Sequence, residues 1–347
     1  MVMRDLDLIR PLDALGGGDR LTAGGKAASL GELCRAGLPV PPGFVVTAAA
    51  FRHALAVVDP DGALGSADRR ARLLAAPLAA DLAAAVSAAY SGLGADSAVA
   101  VRSSATQEDS ADASFAGLQD TYLWVRGTDS VLAHVRRCWA SLYNPEAVSY
   151  RQRQRHQVGR QVAGQPEDDA AMGVVVQRMV EPRAAGVMFT CSPVTGDRSV
   201  IAIEGTWGLG SVLVGGEVTP DSFAISKVTG EILRRQVALK LRLHELSPAG
   251  SGIVAGDVPQ DLRERPCLTD GQIRALAEVA KRVEAHYGVP QDIEWALVAS
   301  GGGGDDIVLL QSRPETVWTT RAAAPVAVPK PRAMDHVFEQ LGHGFTQ

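Results

Sequence analysis

Two apolar segments near the end of the chain, Gln291-Asp292-Ile293-Glu294-Trp295-Ala296-Leu297-Val298 and Ile307-Val308-Leu309-Leu310-Gln311-Ser312-Arg313, leave little choice in how they fold. Successive side chains of a strand alternate between faces, so Asp292 and Glu294 share one face and Ile293, Trp295 and Leu297 the other. The connector from Ser300 to Asp306, with its run of glycines, reads as a turn. Pairing the strands about its middle sets Glu294 opposite Gln311 and brings Arg313 to the same face. A carboxylate, an amide oxygen and a guanidinium then converge, and magnesium accepts one or two such protein oxygens while keeping water and phosphate for the rest. The same pattern also describes a surface hairpin with a Glu–Arg cross-strand pair, worth roughly a few tenths of a kcal/mol.

A second stretch, Ala98 to Trp124, supplies a complementary charge. Apolar Ala98 to Val101 and the β-branched and aromatic run Thr121 to Val125 read as strands on either side of a polar loop. Arg102 stands at the strand end. The loop holds Ser103, Ser104, Thr106, Ser110 and Ser114, the carboxylates Glu108 and Asp109, and a flexible joint at Gly117. A permanent cation beside small hydroxylic residues and glycine is what a polyphosphate requires.

Upstream, Gly24-Gly25-Lys26 feeds a helix that carries Ala27, Leu30, Leu33 and Cys34 on one stripe and stops at Gly37. Lys26 in the first turn opposes the helix dipole unless an anion lies nearby. This is no Walker A loop, because Arg20 stands at the first glycine position and Ala27 at the metal-binding hydroxyl. Thr47 caps a helix to about Val58, Asp61 to Gly94 is alanine-rich and helical with a packing role, and Asp129 to Tyr150 reads as one amphipathic helix. Met172 to Val180 is a strand, Glu181 to Arg183 a turn, and Gly186 to Thr190 its expected partner. Gln177, polar within that apolar run, either holds a ligand or pairs with backbone. Further strands are expected at Ser199 to Glu204 and in a pair, Asp221 to Ser226 with Glu231 to Ala238. Gly205 to Gly210 has the wrong glycine order for a dinucleotide fingerprint. Leu239 to Cys267 reads as loop, and Thr269 caps a helix through Tyr287.

At 347 residues the chain can hold two or three domains. A net charge of -5 argues against a general nucleic-acid binder. Cys34, Cys138, Cys191 and Cys267 form no CxxC pair, which suits reduced thiols in a cytoplasm rather than a zinc site or disulfide framework. Neither a signal peptide nor a bilayer-spanning run is expected.

Taken together, GGKAASLGEL, PVPPGFVVT, VAVRSSATQEDSADASFAGLQDTYL, VVVQRMVEPRAAGVMFT, VTPDSF, QDIEWA and LLQSRPET resemble the N-terminal ATP-binding domain shared by phosphoenolpyruvate synthase, pyruvate phosphate dikinase and rifampin phosphotransferase. The resemblance implies an α+β ATP-grasp fold, with an N-terminal lobe over residues 1–190, a C-terminal lobe carrying the hairpin over 191–320, and ATP between them. A proline-rich linker and tail would fill 321–347. By matching motif positions, Lys26, Arg102, Gly117 and Thr121 would contact the ATP phosphates and Arg313 would reach them. Gln177 would lie in the nucleotide cleft, and Glu294 and Gln311 would hold Mg²⁺.

In that family ATP phosphorylates a histidine on a swivelling domain, giving AMP and phosphate, and the phosphoryl group passes on to an acceptor. None of the chain's seven histidines sits in the glycine-rich context of that histidine, and no such domain is expected beyond Gln347. Ser211 stands where the family usually has an acid. The reading is therefore an ATP-binding, phosphate-donating subunit of a split dikinase. A second polypeptide would carry the histidine and the acceptor site, and the acceptor would be a small hydroxylated compound, plausibly phenolic, as in two-subunit aryl phosphate synthases. The alternatives are a piece of a longer phosphoenolpyruvate synthase or antibiotic phosphotransferase, or a non-catalytic ATP sensor.

Overall fold

The computed structural model describes residues 7–94, 96–106, 120–157, 170–301 and 304–318. Gly117, the middle of the 300–306 turn and the expected linker and tail at 321–347 lie outside the described residues. The chain divides into a compact unit, Met1–Glu315, and a second, Thr316–Gln347.

In chain order the first half runs β1 (Ile9–Pro11), α1 (Arg20–Ala23), α2 (Gly25–Arg35), β2 (Gly43–Val46), α3 (Ala48–Val58), α4 (Ser66–Ala75), α5 (Ala80–Gly92), β3 (Val99–Ala105), β4 (Thr121–Val125), α6 (Thr128–Ser141), α7 (Pro145–Gln157) and β5 (Met172–Arg178). Its strands form one sheet in the order β1-β2-β5-β3-β4. β5 is apolar from Met172 to Val176 because both its faces are covered there. Val174 and Val176 pack with Phe51, Leu82, Val135 and Trp139 of α3, α5 and α6. Val175 faces the other way, onto Ala27 and Leu30 of α2. The Thr47 hydroxyl accepts from the Ala50 N–H and starts α3 as expected.

The second half runs β6 (Pro182–Phe189), β7 (Val200–Trp207), α8 (Ser211–Val214), β8 (Asp221–Ser226), β9 (Ile232–Gln236), β10 (Arg242–Leu246), β11 (Ile253–Asp257), α9 (Asp270–Tyr287), β12 (Gln291–Ala299) and β13 (Asp305–Pro314). Six of these strands form a sheet in the order β13-β12-β6-β7-β8-β9. α9, started by a Thr269–Gln272 capping box, packs Ile273, Leu276 and Val283 against Ile203, Phe223, Ile293, Trp295 and Leu297. Leu33 of α2 joins this second core, so α2 contributes to both.

Four expectations change. β5 and β6 are not partners: β5 pairs with β2 and β3, whereas β6 pairs with β12 and β7, so both edges of each strand are already occupied. Of the segment read as their turn, Glu181 ends a three-residue crossing, Met179 to Glu181, from one sheet to the other, and Pro182 and Arg183 open β6. β6 thus belongs with the second sheet, although a division at residue 190 would assign it to the first. The single helix expected over 129–150 is two, α6 and α7, because Pro145 lacks the N–H to continue the first and opens the second. Leu239 to Cys267 is not all loop: β10 and β11 pair antiparallel within it. No single helix among the described residues is long and apolar enough to cross a membrane.

Candidate functional site

The hairpin forms in the register read from its alternation. Glu294 faces Gln311 and Asp292 faces Arg313, with a bulge after Glu294. Ile293, Trp295 and Leu297 are fully buried on the opposite face, and it is their burial that fixes the register. Arg102, near the middle of β3 in the other sheet, reaches across. Its Nη2 donates to Gln311 Oε1 at 2.6 Å and approaches Glu294 Oε2 at 3.4 Å, while its Nη1 donates to the Leu310 carbonyl at 2.8 Å. The Arg102 Nε is buried with no hydrogen-bond partner among the described residues. A guanidinium nitrogen so placed is an incompletely satisfied donor.

Arg102, Glu294 and Leu310 sit at the wall of a cleft of ≈ 700 Å³ between the two sheets, a volume ordinary for a small-molecule site. From the first sheet come Ala100, Arg102, Thr121, Tyr122 and Gln177, and from the second Ala185, Gly186, Val187, Glu294 and Trp295. Met179 and Val180 of the crossing and Pro182 at the start of β6 add apolar surface. Thr121 is paired with Arg102 across β3 and β4. Gln177 is buried, and its Nε2 donates to the Pro41 carbonyl at 3.0 Å, so the backbone-pairing alternative is met while the residue also lines the cleft.

Lys26, Gln311 and Arg313 are not among the described residues lining that cleft. Lys26 lies in the first turn of α2, whose start is tied to β3 where the Ser104 hydroxyl accepts from the Ala27 N–H at 3.1 Å. Arg313 is paired with Asp292, Nε to Oδ2 at 2.8 Å and Nη2 to Oδ2 at 2.7 Å. Burial raises the Asp292 carboxyl above its ordinary pKa despite that guanidinium, which acts in the opposite direction.

Three parts of the wall escaped the sequence reading. Leu209, Gly210 and Ser211 line the cleft, although their glycine pattern matches no dinucleotide motif. The Ser211 hydroxyl bonds to His244 Nδ1 at 2.8 Å, and His244 Nε2 lies 3.4 Å from Glu217. The turn between β10 and β11 also contributes, through Ser251, Gly252 and Ile253. It is anchored on β4, where the Trp124 carbonyl accepts from the Gly252 N–H at 3.1 Å and the Ser251 hydroxyl at 3.4 Å. Trp124 takes φ +57°, unusual for a bulky residue, at the point where its carbonyl meets that turn. His134 lines the cleft too, and burial holds its imidazole below the usual histidine pKa. None of these placements follows from local periodicity, because each depends on which distant segment crosses the cleft.

A cation from one sheet thus meets oxygens from the other beside a cleft between them. The chain belongs to the family of the pyruvate phosphate dikinase AMP/ATP-binding domain, which matches residues 21–334. A probable phosphoenolpyruvate synthase of Methanothermobacter thermautotrophicus is 40% identical over 326 residues, covering 88% of this chain and 45% of that protein. A rifampicin phosphotransferase of a Streptomyces species is 42% identical over 342 residues, or 92% of this chain and 36% of the relative. The prodigiosin synthesizing transferase PigC of Serratia marcescens is 42% identical over 296 residues, or 84% and 31%. The chain therefore spans less than half the length of each of these relatives.

Proposed function

We propose that this cleft is an ATP-grasp site whose two lobes close on Mg²⁺–ATP, and that the domain donates a phosphoryl group to a histidine on a partner chain. In that reaction ATP, water and the histidine give AMP, phosphate and phosphohistidine. The observation that carries the reading is the meeting of Arg102 with Glu294 and Gln311 across the two sheets. Arg102, Thr121, Lys26, Gly117 and Arg313 are assigned to the phosphates, and Gln177 to the cleft. The apolar crossing residues suit a base.

The donor chemistry suits magnesium. Glu294 Oε2 and Gln311 Oε1 are hard oxygens that already address one cationic nitrogen. Among the described residues no cluster of three His, Cys, Asp or Glu supplies a complete cage, so water and phosphate would fill the remaining positions. The bound ion supplies charge neutralisation at the phosphates. The chain's own residues bind and orient, which is most of what phosphoryl transfer asks of a protein.

The relatives' greater length fits a histidine-bearing domain elsewhere, either on the same polypeptide or on a separate subunit. In the split arrangement the acceptor is a small hydroxylated compound, plausibly a phenol. With ATP labelled in its transferable phosphate, the chain alone should yield no stable protein phosphate. It should label a histidine domain supplied in trans from a full-length relative, with AMP appearing in parallel. Strong self-labelling overturns the donor-subunit reading, and failure to form AMP with any histidine domain favours a nucleotide sensor.

A further inference from the structure

Arg102 holds the two oxygens that the reading above assigns to the metal. Its Nη2 contacts both Gln311 Oε1 and Glu294 Oε2, and the adjacent Nη1 is fixed on the Leu310 carbonyl of the same strand. The side chain is nearly buried, with 11% of its surface exposed, and Glu294 is two-thirds covered, so this contact is poorly screened by solvent. A divalent ion bound to those oxygens would come within a few ångströms of a fixed guanidinium, where like charges repel strongly. The guanidinium and the ion thus compete for one place.

We infer that Arg102 is an interlock: in the nucleotide-free chain its guanidinium occupies the cation position between Glu294 and Gln311, and the position opens to metal only when a polyphosphate draws Arg102 away. This rests on the proposed function and deepens it. The unpartnered Nε gives the guanidinium a reason to move, since an anion can satisfy a donor that the present arrangement leaves unsatisfied. Metal and nucleotide then bind cooperatively, each raising the other's affinity by the same factor, because both require the same displacement. Arg102 also keeps the carboxylate and amide oxygens facing one point before any ion arrives, which makes it a positioning residue in one state and a phosphate ligand in the other.

The test titrates Mn²⁺ alone against the full 347-residue chain, reading free ion by electron paramagnetic resonance, and then repeats the titration with ATP present. Arg102→Ala should bind Mn²⁺ alone about tenfold more tightly than the unsubstituted chain, equivalent to one decade of affinity. Its additional gain on adding ATP should shrink. Arg102→Gln, neutral and able to keep a bond to the Leu310 carbonyl, should behave the same way and serves if the alanine variant melts below the assay temperature. Arg102→Lys should show no such gain. Mn²⁺ binding by the neutral variants that is no tighter than that of the unsubstituted chain overturns the interlock. Glu294→Ala separates the two ideas: it must weaken Mn²⁺ binding in the presence of ATP if the metal reading holds, whatever Arg102 does. If it has no effect, the site assignment itself fails.

Discussion

Replacing Gly24 by alanine is the sharpest test of how α2 is seated against the first sheet. Gly24 has φ +84° and ψ 168°, a region open essentially to glycine alone. A Cβ there would lie 2.0 Å from the Ser104 carbonyl oxygen and 2.3 Å from its hydroxyl. Ser104 is fully buried in β3, so neither neighbour can retreat by the ångström or more needed without moving the strand. Backbone strain of about 1–3 kcal/mol adds to about 1–3 kcal/mol of overpacking. Around 4 kcal/mol is a reasonable centre. With roughly 2.1 cal/mol/K per residue of unfolding entropy over roughly 300 residues, that corresponds to a fall of about 6 °C in Tm. Gly37→Ala is the control. Its φ is +64°, but nothing lies within 4 Å of the new Cβ, so it should cost only about 1 kcal/mol, or about 1.5 °C. Thermal melts by circular dichroism give both numbers. Equilibrium ATP binding well below the melt should show Gly24→Ala weakened, because Lys26 lies two residues on in the displaced turn. Equal melting shifts for the two variants, or normal ATP affinity in Gly24→Ala, would refute the reasoning.

Lys240 and Asp221 form a fully buried pair at 2.6 Å, and Asp221 also accepts from the Ala238 and Cys267 N–H groups. Lys240→Met should destabilise by about 3–5 kcal/mol by stranding the carboxylate, measurable by urea denaturation; a loss below about 1 kcal/mol would contradict the burial. His134 has its pKa lowered chiefly by burial, with Arg137 acting the same way and the Ser130 carbonyl opposing. The unfolded chain therefore binds this proton more readily, and stability falls as pH drops from about 6.5 toward the folded pKa. His134→Gln should flatten the Tm–pH curve in that window, and an unchanged slope would argue against it. Under the magnesium reading, EDTA should abolish tight ATP binding, and Mg²⁺ should restore it; metal-independent ATP affinity would count against that reading.

What could be read from residues alone was whatever rested on local repetition. The alternation in 291–298 fixed both the strand and the Glu294–Gln311 pairing, because burying Ile293, Trp295 and Leu297 leaves only one face for the polar residues. The cap at Thr47 and the stop at Gly37 are likewise short-range chemistry. β5 and β6 failed as a pair because two strands joined by a short turn look the same whether they fold back or pass into separate sheets, and only the distant strands β2, β3, β7 and β12 decide. The β10–β11 hairpin was missed for a related reason. Its residues are largely exposed or half-exposed, so burial imposes no clear alternation on them. Ser211 and His244 became neighbours only through that hairpin.

If the two sheets tilted against each other, the three-residue crossing at Met179 to Glu181 would be the pivot. Arg102 pairs with Val175 on one side and Glu294 with Val187 on the other, placing their meeting point roughly 13–17 Å along the strands from the pivot. A tilt of only about ten degrees there would separate them by roughly 2–3 Å, enough to sever the bond, while the walls beside Met179 scarcely move. Any ligand beside Met179 would feel such a tilt least, and the Arg102–Glu294 end of the cleft would register it most.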